Sequence, residues 1–194
     1  MKMKLIALAC LLFCGIAAQA QTLLVNNTDS AAGTRIIKTN NHKGGELSLD
    51  DSVVKGGAVF FSAGYQSATT SGKLVETYFI DLNIVHNDNR LGCLQELDSR
   101  IVLTLADGTK IECFQISESD CDKVAYHATF ALMPRGGKLD TMKENFEKLL
   151  GADIAEIAII TTEGKLEYKI KKSSRDYLKQ HFALIDKTVK AATK

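Results

Sequence analysis

The sequence predicts an α+β fold: a largely antiparallel sheet built of hairpins, with two amphipathic helices packed on one face. Three observations carry this expectation. The stretch Ile101–Cys113 reads as two alternating runs around Asp107-Gly108, a strong short-range hairpin signal. Apolar residues repeat at helical spacing in two places only, Met142–Leu150 and Leu178–Val189. Finally, β-prone runs come first and are followed by strand, helix, hairpin and helix, an order that suits helices gathered against an antiparallel sheet.

The chain of 194 residues opens with Lys2 and Lys4, continues through an apolar run from Leu5 to Ala18, and reaches Ala18-Gln19-Ala20. A basic start, a short apolar core and a small-x-small site describe a secretory signal peptide over residues 1–20, cleaved after Ala20. The run is short for a bilayer span, and polar sequence follows at once, so no transmembrane segment is expected after processing. Cys10 and Cys14 lie inside the leader. Phe13 is too bulky before Cys14, and Cys10 would leave a very short leader, so lipidation is not assigned. Residues 21–194 are then one domain.

Within it, Thr22–Val25 and Arg35–Lys38 are short β-prone runs separated by a polar loop. They are expected as short strands or as a loose segment over 21–39. Glu46–Leu49 alternates briefly. Gly56–Tyr65 reads as a strand, Gln66–Lys73 as a small-residue linker, and Leu74–His86 as the longest strand. On that strand Tyr78, Ile80, Leu82 and Ile84 share a core face, while Thr77, Asp81 and Asn83 face water.

The faces of the Ile101–Cys113 hairpin follow from register. A two-residue loop would pair Leu103 with Glu112, mixing core with solvent. A three-residue loop, Ala106-Asp107-Gly108 with Gly108 left-handed, pairs Ile101 with Cys113 and Leu103 with Ile111. Val124–Leu132 is another strand, closed by the only proline, Pro134. Asp140 or Thr141 caps the first helix, Thr141 with Glu144 forming a capping box, and Gly151 supplies its stop. Ile154–Thr161 is apolar on both faces, as for a strand buried on both sides. Leu166–Ile170 alternates, and Ser173 or Ser174 caps the second helix.

Composition excludes more than it assigns. The formal net charge is +1 for the whole chain and turns slightly acidic once Lys2 and Lys4 leave with the leader. No polybasic run exists, so nucleic acid is excluded as an expected partner. Of the five cysteines, Cys93, Cys113 and Cys121 remain after processing. In an oxidising compartment Cys93–Cys121 is the preferred disulfide, with Cys113 a core thiol; three reduced cysteines are the alternative.

The run Tyr78-Phe-Ile-Asp-Leu, then Leu103-Thr-Leu-Ala-Asp-Gly-Thr-Lys-Ile, a capped helix, Ile157-Ala-Ile-Ile and Tyr177-Leu resembles small uncharacterised exported proteins of Bacteroidetes-like bacteria. The resemblance spans about the last two thirds of the chain and rests on packing motifs. It implies a periplasmic or extracellular, outer-surface setting in a Gram-negative bacterium, and no activity, cofactor or catalytic residue. In that setting Asp29-Ser30-Ala31 and Asp51-Ser52-Val53 read as O-glycosylation acceptors.

Candidate chemistry is sparse. Arg135-Gly136-Gly137-Lys138 before a helix start is an anion-binding candidate, since flexible amides and two cations meet a helix amino terminus. An exposed turn with solvated charges is the bland alternative. His86-Asn87-Asp88 and Asp120-Cys121-Asp122 hold metal-ligating side chains in separate loops, too few in either for a zinc site, so no metal is assigned. His42 and His181 have no partner in sequence, and His127 reads as an exposed imidazole. Phe60-Phe61 with Tyr65 reads as core, or as a contact patch if exposed. No catalytic set and no cofactor is implied. The expectation is therefore an exported non-enzymatic binding domain for a protein or cell-envelope partner. The alternative is a small exported hydrolase with a Cys/His or carboxylate site on the loops 87–93 and 118–122. The oligomeric state stays open, a homodimer through the edge of the Ile101–Cys113 hairpin being a third reading.

Overall fold

The computed structural model describes residues 22–41, 58–86 and 89–192, together with the backbone of 49–50. The chain folds as β1 (Leu23–Asp29), β2 (Thr34–Thr39), β3 (Leu49–Asp50), β4 (Ala58–Thr70), β5 (Lys73–Val85), β6 (Arg100–Leu105), β7 (Lys110–Gln115), β8 (Ala125–Ala131), α1 (Leu139–Gly151), β9 (Ile154–Ile160), β10 (Lys165–Ile170) and α2 (Tyr177–Ala191). The strands form one curled sheet in the order β1-β2-β4-β5-β8-β7-β6-β9-β10-β3, each neighbour antiparallel. The class is α+β and the sheet dominates it.

The β6–β7 hairpin has the register that the three-residue loop requires: Ile101 opposite Cys113 and Leu103 opposite Ile111. Gly108 takes φ +88°, and its amide donates to the Leu105 carbonyl at 3.0 Å. Asp107 Oδ1 accepts from the Thr109 amide at 2.8 Å, fixing the turn. Inward residues Ile101, Leu103, Ile111 and Cys113 are buried, and burial pushes the Cys113 thiol pKa well up.

Several local expectations are corrected. Gln66–Lys73 is no linker: β4 runs on to Thr70 and pairs with β5 down to Lys73, around a two-residue turn at Ser71 (φ 52°) and Gly72 (φ 75°). Two left-handed residues suit the twist of a tight hairpin, and β2 pairs the far side of β4 as far as Ala68. Of the two expectations for 21–39, the described residues take the short strands β1 and β2. Their hairpin is bonded to β4, and Ile37 and Thr39 are fully buried. The capping box does not set the start of α1. The helix begins at Leu139 with Lys138 at its N-cap and no side-chain cap, because the turn Pro134–Gly137 (Gly136 φ 72°) already delivers the chain in helical register. Gly151 is the last residue of that helix, with Ala152 as C-cap. Ser174 is buried in a short 3-10 turn, Lys172–Ser174, and α2 starts only at Tyr177 after Asp176. Most of Glu46–Leu49, together with His42 and Asp51-Ser52-Val53, lies outside the described residues.

Inward side chains of the strands join one core with Met142, Phe146 and Leu149 of α1 and Leu178, Phe182 and Ile185 of α2. The Phe146 ring stacks on Tyr78 at 4.0 Å and meets Phe182 edge-on at 5.6 Å. Asn145, buried on α1, donates to the Leu132 carbonyl at 2.8 Å and satisfies the end of β8. On α2, buried His181 lies with Nδ1 2.6 Å from Thr39 Oγ1 and its ring 4.9 Å from that of Phe61. Phe61, completely buried, belongs to the core and not to a contact patch. Tyr168 is also fully buried. Its hydroxyl has no hydrogen-bond partner, and burial pushes its pKa up to about 12.

Candidate functional site

Period-two alternation gives every strand an outward row, and two parts of the sheet use that row differently. Across β7, β6, β9 and β10 the pairing sets out a grid. Glu112, Val102, Ala158 and Glu167 lie side by side, flanked by Lys110, Thr104, Glu156 and Lys169 on one side and by Arg100, Ile160 and Lys165 on the other. These residues line a groove of about 580 Å³. Val102, Ala158 and Ile160 make an apolar floor, and charges of both signs stand around it. Arg100 Nε lies 3.8 Å from Glu112 Oε2, and Lys165 Nζ lies 2.7 Å from Glu167 Oε1. Both pairs are exposed and contribute little to stability.

This groove corrects the expectation for β9. Ile157 and Ile159 do face the core, but Ala158 and Ile160 are only half-buried and face outward. Their apolar character, read as a second core face, belongs to the groove floor. The groove is open and mostly ringed by charged side chains, with the apolar patch confined to its floor.

Across β2, β4, β5 and β8 the outward row closes on itself around Asp81, which is 4% exposed. The expectation that Asp81 faces water is overturned. Its carboxylate accepts from Lys38 Nζ and, at 2.8 Å, from Thr129 Oγ1, and His127 Nε2 lies 3.2 Å away. Burial raises the Asp81 pKa, but the hydrogen bonds from Lys38 and Thr129 and the charges of Lys38 and His127 outweigh it, leaving the pKa below the ordinary 3.8. Ser62, directly opposite Asp81 in the pairing, is buried and its hydroxyl has no partner. Beside them the Phe79 ring covers Gly64 so closely that a Cβ there would fall 2.0 Å from Cζ. His127 itself is exposed.

The described residues of the loops named in the hydrolase alternative are brought together by a disulfide. Cys93 and Cys121 are joined in a disulfide, and Cys113 is a buried free thiol. Cystine sulfurs have no thiolate with which to attack. Leu94 and Asp120 exchange backbone hydrogen bonds at 2.8 Å beside the disulfide. Thr162, on the β9–β10 turn, accepts from the Cys93 amide at 2.9 Å. His86 is buried, its ring stacked on Tyr126 at 4.1 Å and its Nε2 3.1 Å from the Asp122 carbonyl.

The carboxylates there serve turns. Asp122 Oδ1 accepts from Val124 at 2.7 Å and Ala125 at 3.1 Å, bonds that lower its pKa, and Asp120 Oδ2 accepts from His127 N at 2.7 Å. Among the described residues no three His, Cys, Asp or Glu side chains are placed to share a metal ion. Asn87 and Asp88 lie outside the described residues.

The Arg135–Lys138 loop stands before α1, with Arg135 Nη1 paired to Asp98 and the Gly137 amide donated to the Pro134 carbonyl at 2.9 Å. One of its two cations and one amide are therefore already engaged within the chain. Asp29-Ser30-Ala31 sits in the exposed β1–β2 turn, where Asp29 Oδ1 accepts from the Ala31 and Ala32 amides at 3.0 Å each. No helix of the described residues is long and apolar enough to cross a membrane. Comparison of the chain with family models, with curated proteins and with solved structures gives no match.

Proposed function

We propose that this chain is an exported binding domain without catalysis of its own, and that the groove over β6, β7, β9 and β10 is its contact surface. The observation that carries the reading is the composition of that groove. An apolar floor of Val102, Ala158 and Ile160 lies inside a rim holding Lys110, Lys165, Lys169, Glu112, Glu156 and Glu167. An amphipathic segment of a partner protein matches it: apolar side chains on the floor, with charges of either sign answered at the rim. Four strands span about 14 Å at the usual spacing, room for one helix or one extended chain. In the same reading both helices roof the inner face, so that the outer face is left for the partner.

The leader over residues 1–20 and the resemblance to exported Bacteroidetes-like proteins favour a partner in the cell envelope of a Gram-negative host, in the periplasm or at the outer surface. The hydrolase alternative is disfavoured by the joining of Cys93 to Cys121. The anion-binding role of Arg135-Gly136-Gly137-Lys138 is kept as a separate proposal. Protection by sulfate or phosphate against thermal unfolding, beyond that of chloride at matched ionic strength, tests it.

The main reading is tested with a photo-crosslinking residue placed at Thr104 in the groove, or at Glu144 on the exposed side of α1, in cells of the native host. A discrete adduct from Thr104 alone, abolished by Ala158→Arg, is the expected result. The same adducts from both positions, or none from Thr104, would refute the groove as the contact.

A further inference from the structure

We propose that β1 is a self-pairing edge, and that two copies of this chain join β1 to β1 antiparallel about a twofold axis. The hairpin edge first considered for a dimer is not free: β6 lies between β7 and β9, and β7 is bonded to β8 at Phe114 and Gln115. The ends of the sheet are elsewhere, and they differ.

At one end β10 carries Lys165, Glu167 and Lys169 on its outward row, and β3 covers part of its edge at Lys169 and Ile170. Charged outward side chains and a short capping strand are how sheets discourage edge-to-edge pairing. At the other end β1, Leu-Leu-Val-Asn-Asn-Thr-Asp, has no lysine and no proline over seven residues, and it ends the strand order. Five of its residues are exposed, Leu24 at 60%. Among the described residues no strand pairs with the outer edge of β1, and its composition carries neither lysine nor proline as a deterrent.

A second copy is compatible with this edge because antiparallel self-pairing brings no like charges together. Overlap of all seven residues puts Asn26 on the axis opposite its own copy. Val25 then faces Asn27, Leu24 faces Thr28, and Leu23 faces Asp29. The one formal charge, Asp29, falls at opposite ends of the ladder, so no like charges meet. Asp29 is moreover already held by the Ala31 and Ala32 amides. An isologous contact of this kind closes as a dimer and leaves the β10 ends apart.

The test is sedimentation of the exported protein from about 1 to 100 µM, the range where a modest interface associates. The expected result is a monomer–dimer equilibrium that Asn26→Lys weakens about fivefold, by setting like charges opposite each other, with the Tm of the dilute monomer unchanged. Asn26 is exposed, so that variant folds as the parent does. A second measurement uses Asn26→Cys under mild oxidation. Opposed Cα atoms in an antiparallel pair lie about 4.5–5.5 Å apart, within disulfide reach; among the described residues the other cysteines are in the disulfide or buried, and the measurement is made on residues 21–194, which lack Cys10 and Cys14. A crosslinked dimer from Asn26→Cys, and none from Glu96→Cys on a distant loop, supports the proposal. A monomer across the whole range would overturn it. So would a dimer that is indifferent to Asn26→Lys and uncrosslinked at position 26, which places the contact on another surface.

Discussion

On the β2–β4–β5–β8 side of the sheet the outward residues Ser62, Phe79 and Asp81 are withdrawn from water, whereas on the β7–β6–β9–β10 side Val102, Ala158 and Ile160 floor an open groove. Both rows obey the same alternation. The difference lies in what stands beside them. Around Asp81 a lysine from β2 and a threonine and a histidine from β8 converge on one carboxylate, and an aromatic ring fills the space over a glycine. Around Ala158 the charged side chains stand at the margins, where Arg100 pairs with Glu112 and Lys165 with Glu167, leaving the middle to apolar groups. An outward row becomes structural when its polar groups are drawn out of water around one shared acceptor, and becomes a recognition surface when its ion pairs stay exposed at the margins of an open apolar floor.

The sharpest way to break that comparison is to remove one charge from each side. Asp81→Ala strips Lys38 and Thr129 of their acceptor and is expected to cost about 3 kcal/mol in urea unfolding at pH 7. Glu167→Ala, whose partner Lys165 is exposed, is expected to stay within about 0.5 kcal/mol. Equal losses would mean that the two rows do not differ in kind.

Adding one methyl group probes the same contrast sterically. Gly64→Ala drives a Cβ into the Phe79 ring and is expected to cost about 2 kcal/mol. Most of that cost should be relieved in the double variant with Phe79→Leu, as a double-mutant cycle reads it. Independent, additive losses would show that the ring does not rest on the glycine.

Acid sharpens the comparison with a smaller effect. The folded pKa of Asp81 lies below its ordinary value of 3.8. The stability it contributes is therefore complete above 3.8 and is lost as pH falls through the lower, folded value. Tm should fall less steeply over that acid window for Asp81→Asn than for the parent chain. Parallel curves for the two would place the acid sensitivity elsewhere.

The smallest expected effect on stability is at the groove. Ala158→Leu extends into open space and should change stability by less than about 0.5 kcal/mol, while abolishing the Thr104 crosslink. A large destabilisation would show that the floor is packed and not a contact surface.

Much of the frame was legible before any coordinates. The β6–β7 register followed from one glycine and the alternation around it, because a one-residue slip would have turned Leu103 outward. The stripes that became Met142–Leu149 and Leu178–Ile185 were readable by period alone. The helix starts were not, since turn geometry at Gly136 and at Lys172–Ser174 outweighed the serine and threonine caps. Of the candidate site, the two-faced apolar character of Ile157–Ile160 was the one visible trace. A sequence says that Ala158 and Ile160 are apolar, but not whether anything lies over them.

What this sequence determined by itself is which residues share a face, because backbone geometry in a strand or helix converts spacing directly into direction. Which faces are covered, and by whom, was decided only by the tertiary structure. The strand order that brings Lys38, Asp81 and His127 together, and sets β7 and β10 about Val102 and Ala158, joins segments far apart in the chain. Such pairings depend on the packing of the whole sheet, which no local stretch of residues encodes.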